Sequence, residues 1–343
     1  MSTQIPALKT LPPQAELMNL TTGHWILQAL FVAAKLGIAD LLGDGPKSSA
    51  ALAQAAGADA RTLYRLLRAL ASVGVFAEDS NGDFALTPMA ECLRTDDPGS
   101  IRPWVMVMGE PHNFQPWGEL LHSVKTGQTA FDHIHGMGVF EYYAQNPEHG
   151  RMFDAAMTSF SAPEVSAVVA EYDFSGIGTL VDVAGGHGSF LSKILKEYPA
   201  MKGVLADVPA VIEGARSHFH AVGVADRCEV VPIDFFESVP GGGDAYLMKH
   251  IIHDWDDERT GKILKNCHRA MAGNGKLLLV EMIIPPGNAP DFGKWLDVGM
   301  LVYTGGRERT ASEYGDLLAG NGFRLTRIVP TQSSVSVIEA VPV

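Results

Sequence analysis

Two stretches of this sequence carry residue types whose spacing could do chemistry. One is Met248-Lys249-His250-Ile251-Ile252-His253-Asp254-Trp255-Asp256-Asp257, directly after an apolar run that reads as a strand. The imidazole of His253 can be neutral near pH 7, so it can accept a proton from a phenol-like hydroxyl as that oxygen attacks an electrophile. A plainer reading makes His253 a core or capping histidine and leaves Asp254, Asp256 and Asp257 to favour a helix N-terminus. Position alone does not separate the two. Glu281, ending a later strand, and Glu313, near a helix start after R-E-R-T, could each bring a carboxylate to the imidazole and fix its tautomer. Either could equally be a surface carboxylate.

The second stretch is Leu180 to Leu191, L-V-D-V-A-G-G-H-G-S-F-L. Val181 and Val183 suit a buried parallel strand. Gly185, Gly186 and Gly188 let the backbone turn tightly against a ligand, and a helix starting at Ser189 would present free N–H groups to it. An ordinary strand-to-helix loop can look the same. Downstream, G-V-L-A-D ends on Asp207, about twenty residues past the glycines, where a carboxylate can bind ribose hydroxyls. NAD and S-adenosylmethionine both fit such a pair. Leu191 stands where a dinucleotide fingerprint has its third glycine, and the turn lies past mid-chain; both features favour adenosylmethionine. At the end of the next strand, Asp234 could accept an adenine amino group and Phe235 could cover a ring, unless they are a loop acid beside a core aromatic.

These residues need elements to place them on one rim. From Thr179 onward, strands (Leu180 to Val183, Gly203 to Ala206, Cys228 to Pro232, Ala245 to Lys249, Lys276 to Glu281) alternate with helical segments, the pattern of a doubly wound parallel α/β sheet. Phe323 to Pro330 and Ser334 to Ala340 look like a closing antiparallel pair. The first half differs. Leu27, Leu30, Phe31 and Ala34, then Leu63, Leu66, Leu67 and Leu70, recur at helical spacing, and Ser48 to Ala56 is a short helix. Val73 to Thr87 reads as a hairpin around Asn81-Gly82, so helices followed by a hairpin predict a winged-helix arrangement. Domains are expected at 1–100, at 101–170 as a helical linker and pocket region, and at 171–343.

Composition narrows the classes. The 343 residues are 46% hydrophobic and 19% charged, an ordinary globular balance, and a formal net charge of −13 argues against a general nucleic-acid binder. Cys92, Cys228 and Cys267 lack C-x-x-C spacing, which suggests neither a disulfide framework nor a zinc site and fits a reducing cytoplasm. Trp25 to Leu42 is interrupted by Gln28, Lys35 and Asp40, so no membrane span is expected. His133 and His135 have a spacing that could suit a metal, but exposed loop histidines account for them equally. Phe153, Phe160 and Met300 are among the apolar residues that suggest a flat aromatic ligand or else simply core.

Taken together, L-V-D-V-A-G-G-H-G, L-A-D-V-P, D-F-F-E-S-V-P, D-A-Y-L-M-K-H-I-I-H-D-W-D-D-E, L-L-L-V-E and G-R-E-R-T-A-S-E-Y give the whole chain a resemblance to the plant-type and bacterial small-molecule O-methyltransferases. That resemblance implies a winged-helix-type dimerisation domain, a class I methyltransferase domain, S-adenosylmethionine as cofactor, no metal, a homodimer, and a small aromatic acceptor of phenol, phenazine or polyketide type. It implies His253 as proton acceptor flanked by Glu281 and Glu313, with Asp254 beside the acceptor. It further implies Asp207 on the ribose, Asp234 and Phe235 on the adenine, Lys249 on the polar portion of the cofactor and Gly185 at its methionine end. Phe153, Met157, Phe160 and Ser161 fall where the family lines its substrate and cofactor pocket. Ala184 replaces a glycine of many members, which is tolerable if its φ is negative. Two other readings remain at this stage: a relative that decarboxylates or hydroxylates while holding the cofactor structurally, and a regulator reading DNA with Arg61, Arg65 and Arg68.

Overall fold

Leucines at helical spacing build the first part of the computed structural model, which describes residues 11–271 and 273–343. Its helices include Gly23–Lys35 (α1), Ser49–Ala56 (α2) and Ala60–Ser72 (α3). Ser48 caps α2 by accepting from Ala51 N at 3.3 Å, and Asp59 caps α3 by accepting from Thr62 N at 2.9 Å. On α3 the face carrying Leu63, Leu67 and Leu70 is buried, while Arg61, Arg65 and Arg68 are exposed. Lys47–Ser48 (β1), Phe76–Glu78 (β2) and Asp83–Leu86 (β3) then form an antiparallel sheet in the order β1-β3-β2. Its hairpin turns where the sequence predicts. Asp79 Oδ1 accepts from Asn81 N at 2.8 Å and Asp83 N at 3.0 Å, and Gly82 takes φ +83°.

The helix Arg102–Gly109 (α4) also packs here, against α1. Gly109 is required at that crossing, because a Cβ would overlap the Phe31 side chain, and its carbonyl accepts from Gln28 Nε2 at 3.1 Å. The first compact unit runs to Phe114.

In the second unit, Gln115–Val343, the long helix Pro147–Glu171 (α5) precedes the predicted alternation. Thr179–Val183 (β4), Ser189–Glu197 (α6), Lys202–Asp207 (β5), Cys228–Pro232 (β6), Ala245–Lys249 (β7), Asp257–Ala270 (α7), Lys276–Met282 (β8), Phe292–Tyr303 (α8), Ala311–Ala319 (α9), Phe323–Pro330 (β9) and Val335–Pro342 (β10) follow. The sheet order is β6-β5-β4-β7-β8-β10-β9. The first five are parallel; β10 runs antiparallel between β8 and β9. Alternate residues feed opposite cores: Leu180, Leu247, Leu278 and Val280 pack with Val165, Val168, Leu191 and Ile194, whereas Val181, Tyr246, Leu277 and Leu279 pack with Ile263, Leu264 and Leu318. Covered on both faces, the sheet leaves its carboxyl-end rim, where β4 turns one way to β5 and the other way to β7, as the place for a ligand.

Far from that rim, Glu339 on β10 accepts from Tyr172 Oη at 2.6 Å, Arg327 Nη2 at 3.0 Å and Thr326 Oγ1 at 2.9 Å, with Lys276 Nζ at 3.4 Å. Burial pushes its carboxyl up, but these partners outweigh that and hold it at about 2. Its contribution is thus fully present above the ordinary carboxylate value and is lost as pH falls toward 2. Glu339→Gln should cost about 1–3 kcal/mol at pH 7. Thermal melts from pH 7 to 3 should show the gap between parent and variant closing; a gap that stays constant would contradict the assignment.

Candidate functional site

At the carboxyl end of β4 the chain turns through Ala184 to Gly188. Ala184 takes φ +57°, contrary to the negative value the sequence reading requires, and its N donates to Ala206 O at 2.7 Å, which holds the strained residue against β5. A Cβ at Gly185 would overlap the Asp182 carboxylate, and one at Gly188 (φ +80°) would overlap the Phe219 ring. Gly186 (φ +62°) instead faces open space. Asp207, ending β5, accepts from Gly186 N at 2.8 Å and Val208 N at 2.7 Å; burial raises its carboxyl despite those bonds. Beneath the turn lies an acid the sequence reading passed over. Asp182 is 2% exposed, its Oδ2 has no hydrogen-bond partner, and burial together with the Asp207 charge, opposed by Lys249, raises it to about 7. Its signal was visible: an aspartate inside an otherwise apolar strand. Shaped backbone plus carboxylates at two strand ends fit a ligand with hydroxyls and a cationic group, as S-adenosylmethionine has.

Lys249 and Ser161 come together, Nζ donating to Oγ at 2.6 Å, with Glu164 3.5 Å from the ammonium. Burial lowers the Lys249 pKa against the opposing charges of Glu164 and Glu281. Asp234 is exposed and turns back on its own loop, accepting from Phe236 N at 2.8 Å, while Phe235 packs against Phe236 and Trp255.

His253 sits in a short helical turn after β7 and is 6% exposed. Its Nδ1 meets Glu308 Oε1 at 2.6 Å; Glu281 Oε2 lies 3.8 Å from Nδ1, and Asp254 Oδ1 lies 3.8 Å from Nε2. A carboxylate on Nδ1 fixes a proton there and leaves Nε2 as the nitrogen that can take another. Burial alone would lower the ring, but the charges of Glu308, Asp254 and Glu281 and the Glu308 hydrogen bond raise it to about 10. The carboxylates thus favour the protonated ring over the neutral one. Asp254 goes up to about 6, chiefly by burial. Glu281 is fully buried and accepts from Ile251 N and Ile252 N, both at 3.1 Å, so it fastens the backbone of the histidine turn.

Glu308 is the residue the sequence reading missed; Glu313 was expected in its place. Glu313 instead closes a capping box at the start of α9, accepting from Thr310 N at 2.8 Å while Thr310 Oγ1 accepts from its N at 3.3 Å. Its side chain is 42% exposed and pairs with Arg307, not with His253. The signal lay in R-E-R-T itself, an acid between two arginines. Arg309, fully buried, donates to Ile252 O and Trp255 O, both at 3.2 Å, and to Asp257 Oδ1 at 2.8 Å, and its own carbonyl accepts from Ile284 N at 3.0 Å beyond β8. The plainer reading holds for two of the three aspartates. Asp256 caps α7 through Arg259 N at 2.8 Å and Asp257 binds Arg307 and Arg309.

On α5, Phe153 stacks on Tyr143 at 4.7 Å within a cluster that includes Phe131 and Tyr303, and Phe160 lies 6.0 Å from the His250 ring. Met157 is half-buried and Met300, on α8, is buried. His250, His253 and Glu281 each offer a ligand atom within 4.8 Å of the others, but His253 Nδ1 is engaged by Glu308 and His250 Nε2 by Glu164 at 2.9 Å. His133 stacks on His122, and His135 packs on Phe131.

Residues 117–324 match an O-methyltransferase domain and residues 18–96 an O-methyltransferase dimerisation domain. Phenazine O-methyltransferase PhzM of Lysobacter antibioticus is 46% identical over 332 residues, 97% of each chain. The crystal structure of LaPhzM superposes with a TM-score of 0.92 at 46% identity, covering 97% of this chain and all of that one. An O-methyltransferase from neocarzinostatin biosynthesis, solved with S-adenosylmethionine and 2-hydroxy-5-methyl naphthoic acid, gives a TM-score of 0.84 at 32% identity over 98% of this chain and all of its own. The arginines of α3 thus lie in a region matched to dimerisation, and the DNA-reading alternative falls away.

The loop before Glu308 must pass very close to the histidine turn. Gly305 takes φ +76°, and a Cβ at Gly306 would overlap His253 O and Asp254 C. Gly306→Ala should therefore lift Glu308 from His253, cutting turnover at least about 100-fold. Steady-state kinetics beside thermal melts test this; unchanged kinetics would show that the loop can rest elsewhere.

Proposed function

The chain belongs to the O-methyltransferase family, and on that premise we propose that it transfers a methyl group to a hydroxyl of a small, flat aromatic metabolite with His253 as general base and without a metal. S-adenosylmethionine, when bound, supplies a methyl carbon activated by its sulfonium leaving group. The observation that carries the reading is the 2.6 Å contact of His253 Nδ1 with Glu308, which leaves Nε2 to take the hydroxyl proton. Glu281 holds the histidine turn, and Asp254 supports the acceptor beside Nε2. The Gly185 turn would cradle the methionine end, Asp207 the ribose, Asp234 and Phe235 the adenine, and Lys249 with Ser161 the polar portion between them. Phe153, Met157, Phe160 and Met300 line the acceptor side, where aromatic faces favour a planar ring. A base of this kind serves a hydroxyl, whose oxygen gains nucleophilicity as it loses its proton; an amine attacks through a lone pair it already has.

The metal-free reading rests on the chemistry: the sulfonium supplies the leaving group and His253 removes the hydroxyl proton, so the transfer needs no Lewis acid, and His253 Nδ1 is already engaged by Glu308. Homodimerisation is supported by the dimerisation match and by exposed Leu17, Met18, Leu20 and Trp25. Among the described residues no helix is long and apolar enough to cross a membrane. With three free cysteines, we place the protein in the cytoplasm.

His253→Ala should lower methyl transfer roughly 10²- to 10⁴-fold while calorimetry shows cofactor affinity nearly unchanged; Asp207→Ala should instead lose cofactor binding, and methyl transfer with it. Collapse of cofactor binding in His253→Ala would refute the base assignment. Because the proton-free ring is the minor form below pH 10, single-turnover rates should climb close to tenfold per pH unit from 7 to 9. A labelled-methyl assay with hydroxyphenazines and hydroxynaphthoates separates this reading from a decarboxylase or hydroxylase: altered product without label would favour the latter.

A further inference from the structure

We propose that His250 is a positioning residue for the His253 base, bridging Glu164 on α5 to Glu281 on β8. This rests on reading His253 as the base and adds a residue that neither the motif reading nor the glutamate pairing requires. His250 takes φ +54°, a left-handed conformation shared among the described non-glycine residues only with Ala184. A β-carbon disfavours that region, and such strain persists where surrounding contacts over-determine it. Here they do. The backbone N donates to Val280 O at 3.1 Å, prolonging the β7–β8 ladder by one residue, and the left-handed turn sends the ring between two buried carboxylates.

On one side Nε2 donates to Glu164 Oε2 at 2.9 Å. Glu164 is 3% exposed on the long helix, and its other oxygen accepts from Ser334 Oγ at 2.7 Å. A buried carboxylate in mid-helix is costly unless paired, so this contact holds α5 against the rim. On the other side Nδ1 faces Glu281 Oε2 at 3.7 Å, and neither atom has a hydrogen-bond partner of its own. The second oxygen of Glu281 is the one that receives Ile251 N and Ile252 N, so whatever fixes Glu281 fixes the turn carrying His253. The His250 ring also lies 5.0 Å from that of His253, inclined by 27°, which limits how far the base can tilt away from Glu308. Asparagine tolerates the same backbone but cannot span both carboxylates.

The test uses the full-length enzyme saturated with S-adenosylhomocysteine and reads the far-downfield proton NMR signal of His253 Nδ1–H against Glu308, assigned by its loss in His253→Asn. In His250→Asn and in Glu164→Gln that signal should move upfield and exchange with water about tenfold faster, while melting curves still show folded protein. An unmoved signal in either folded variant overturns the proposal. So does the absence of the signal in the unaltered enzyme, or the failure of both variants to fold, which would make the bridge a scaffold contact. No acceptor is needed, so a bridge that fails this test is told apart from an enzyme that transfers no methyl group, which would overturn the preceding reading instead.

Discussion

The hydrogen bond between His253 and Glu308 is the constraint around which the rim is built. Its two residues are 55 positions apart and both are buried, so neither carboxylate nor imidazole has water to fall back on. The surrounding structure reads as what is needed to bring them together. Gly306 lets the second loop touch the first, Arg309 ties the carbonyls of the first loop to Asp257, and the pairing of Ile283 with Arg309 registers the second loop to the end of β8. A buried cluster of this kind is strongly destabilised when one member is lost, which couples the stability of the rim to its chemistry.

Much of this was legible in the sequence, and the reason differs by element. The strands announce themselves by apolar runs because both faces of the sheet are covered, and the hairpin by Asn81-Gly82 because few other residues accept the turn. The histidine turn was legible because His253 follows a strand that had to end on the ligand rim. Glu308 was not, since its neighbour Glu313 has a similar sequence setting and a capping box looks no different from an orienting acid until Thr310 is seen closing it. The raised pKa of His253 was equally hidden: it depends on three carboxylates, Glu308, Asp254 and Glu281, a sum no local motif expresses. The packing of Gly109 on Phe31 was hidden for the same reason, since it joins residues far apart in the sequence.

The rim also divides its labour by backbone type. The β4–β5 side works mainly through main-chain groups and two acids, so it depends on glycine geometry and tolerates change in few places. The β7–β8 side works through side chains held by other side chains, with the aromatic residues of α5 and α8 beside them.

Ala184 carries a consequence of its own. An alanine held at φ +57° destabilises the folded chain relative to glycine there, yet in the unfolded and ligand-free ensembles it visits far fewer backbone states. The first residue of the turn is thus ordered before anything binds. The entropy lost on ligand binding at this point has already been spent in folding, and the affinity of the turn depends less on conformational narrowing than it would with three successive glycines.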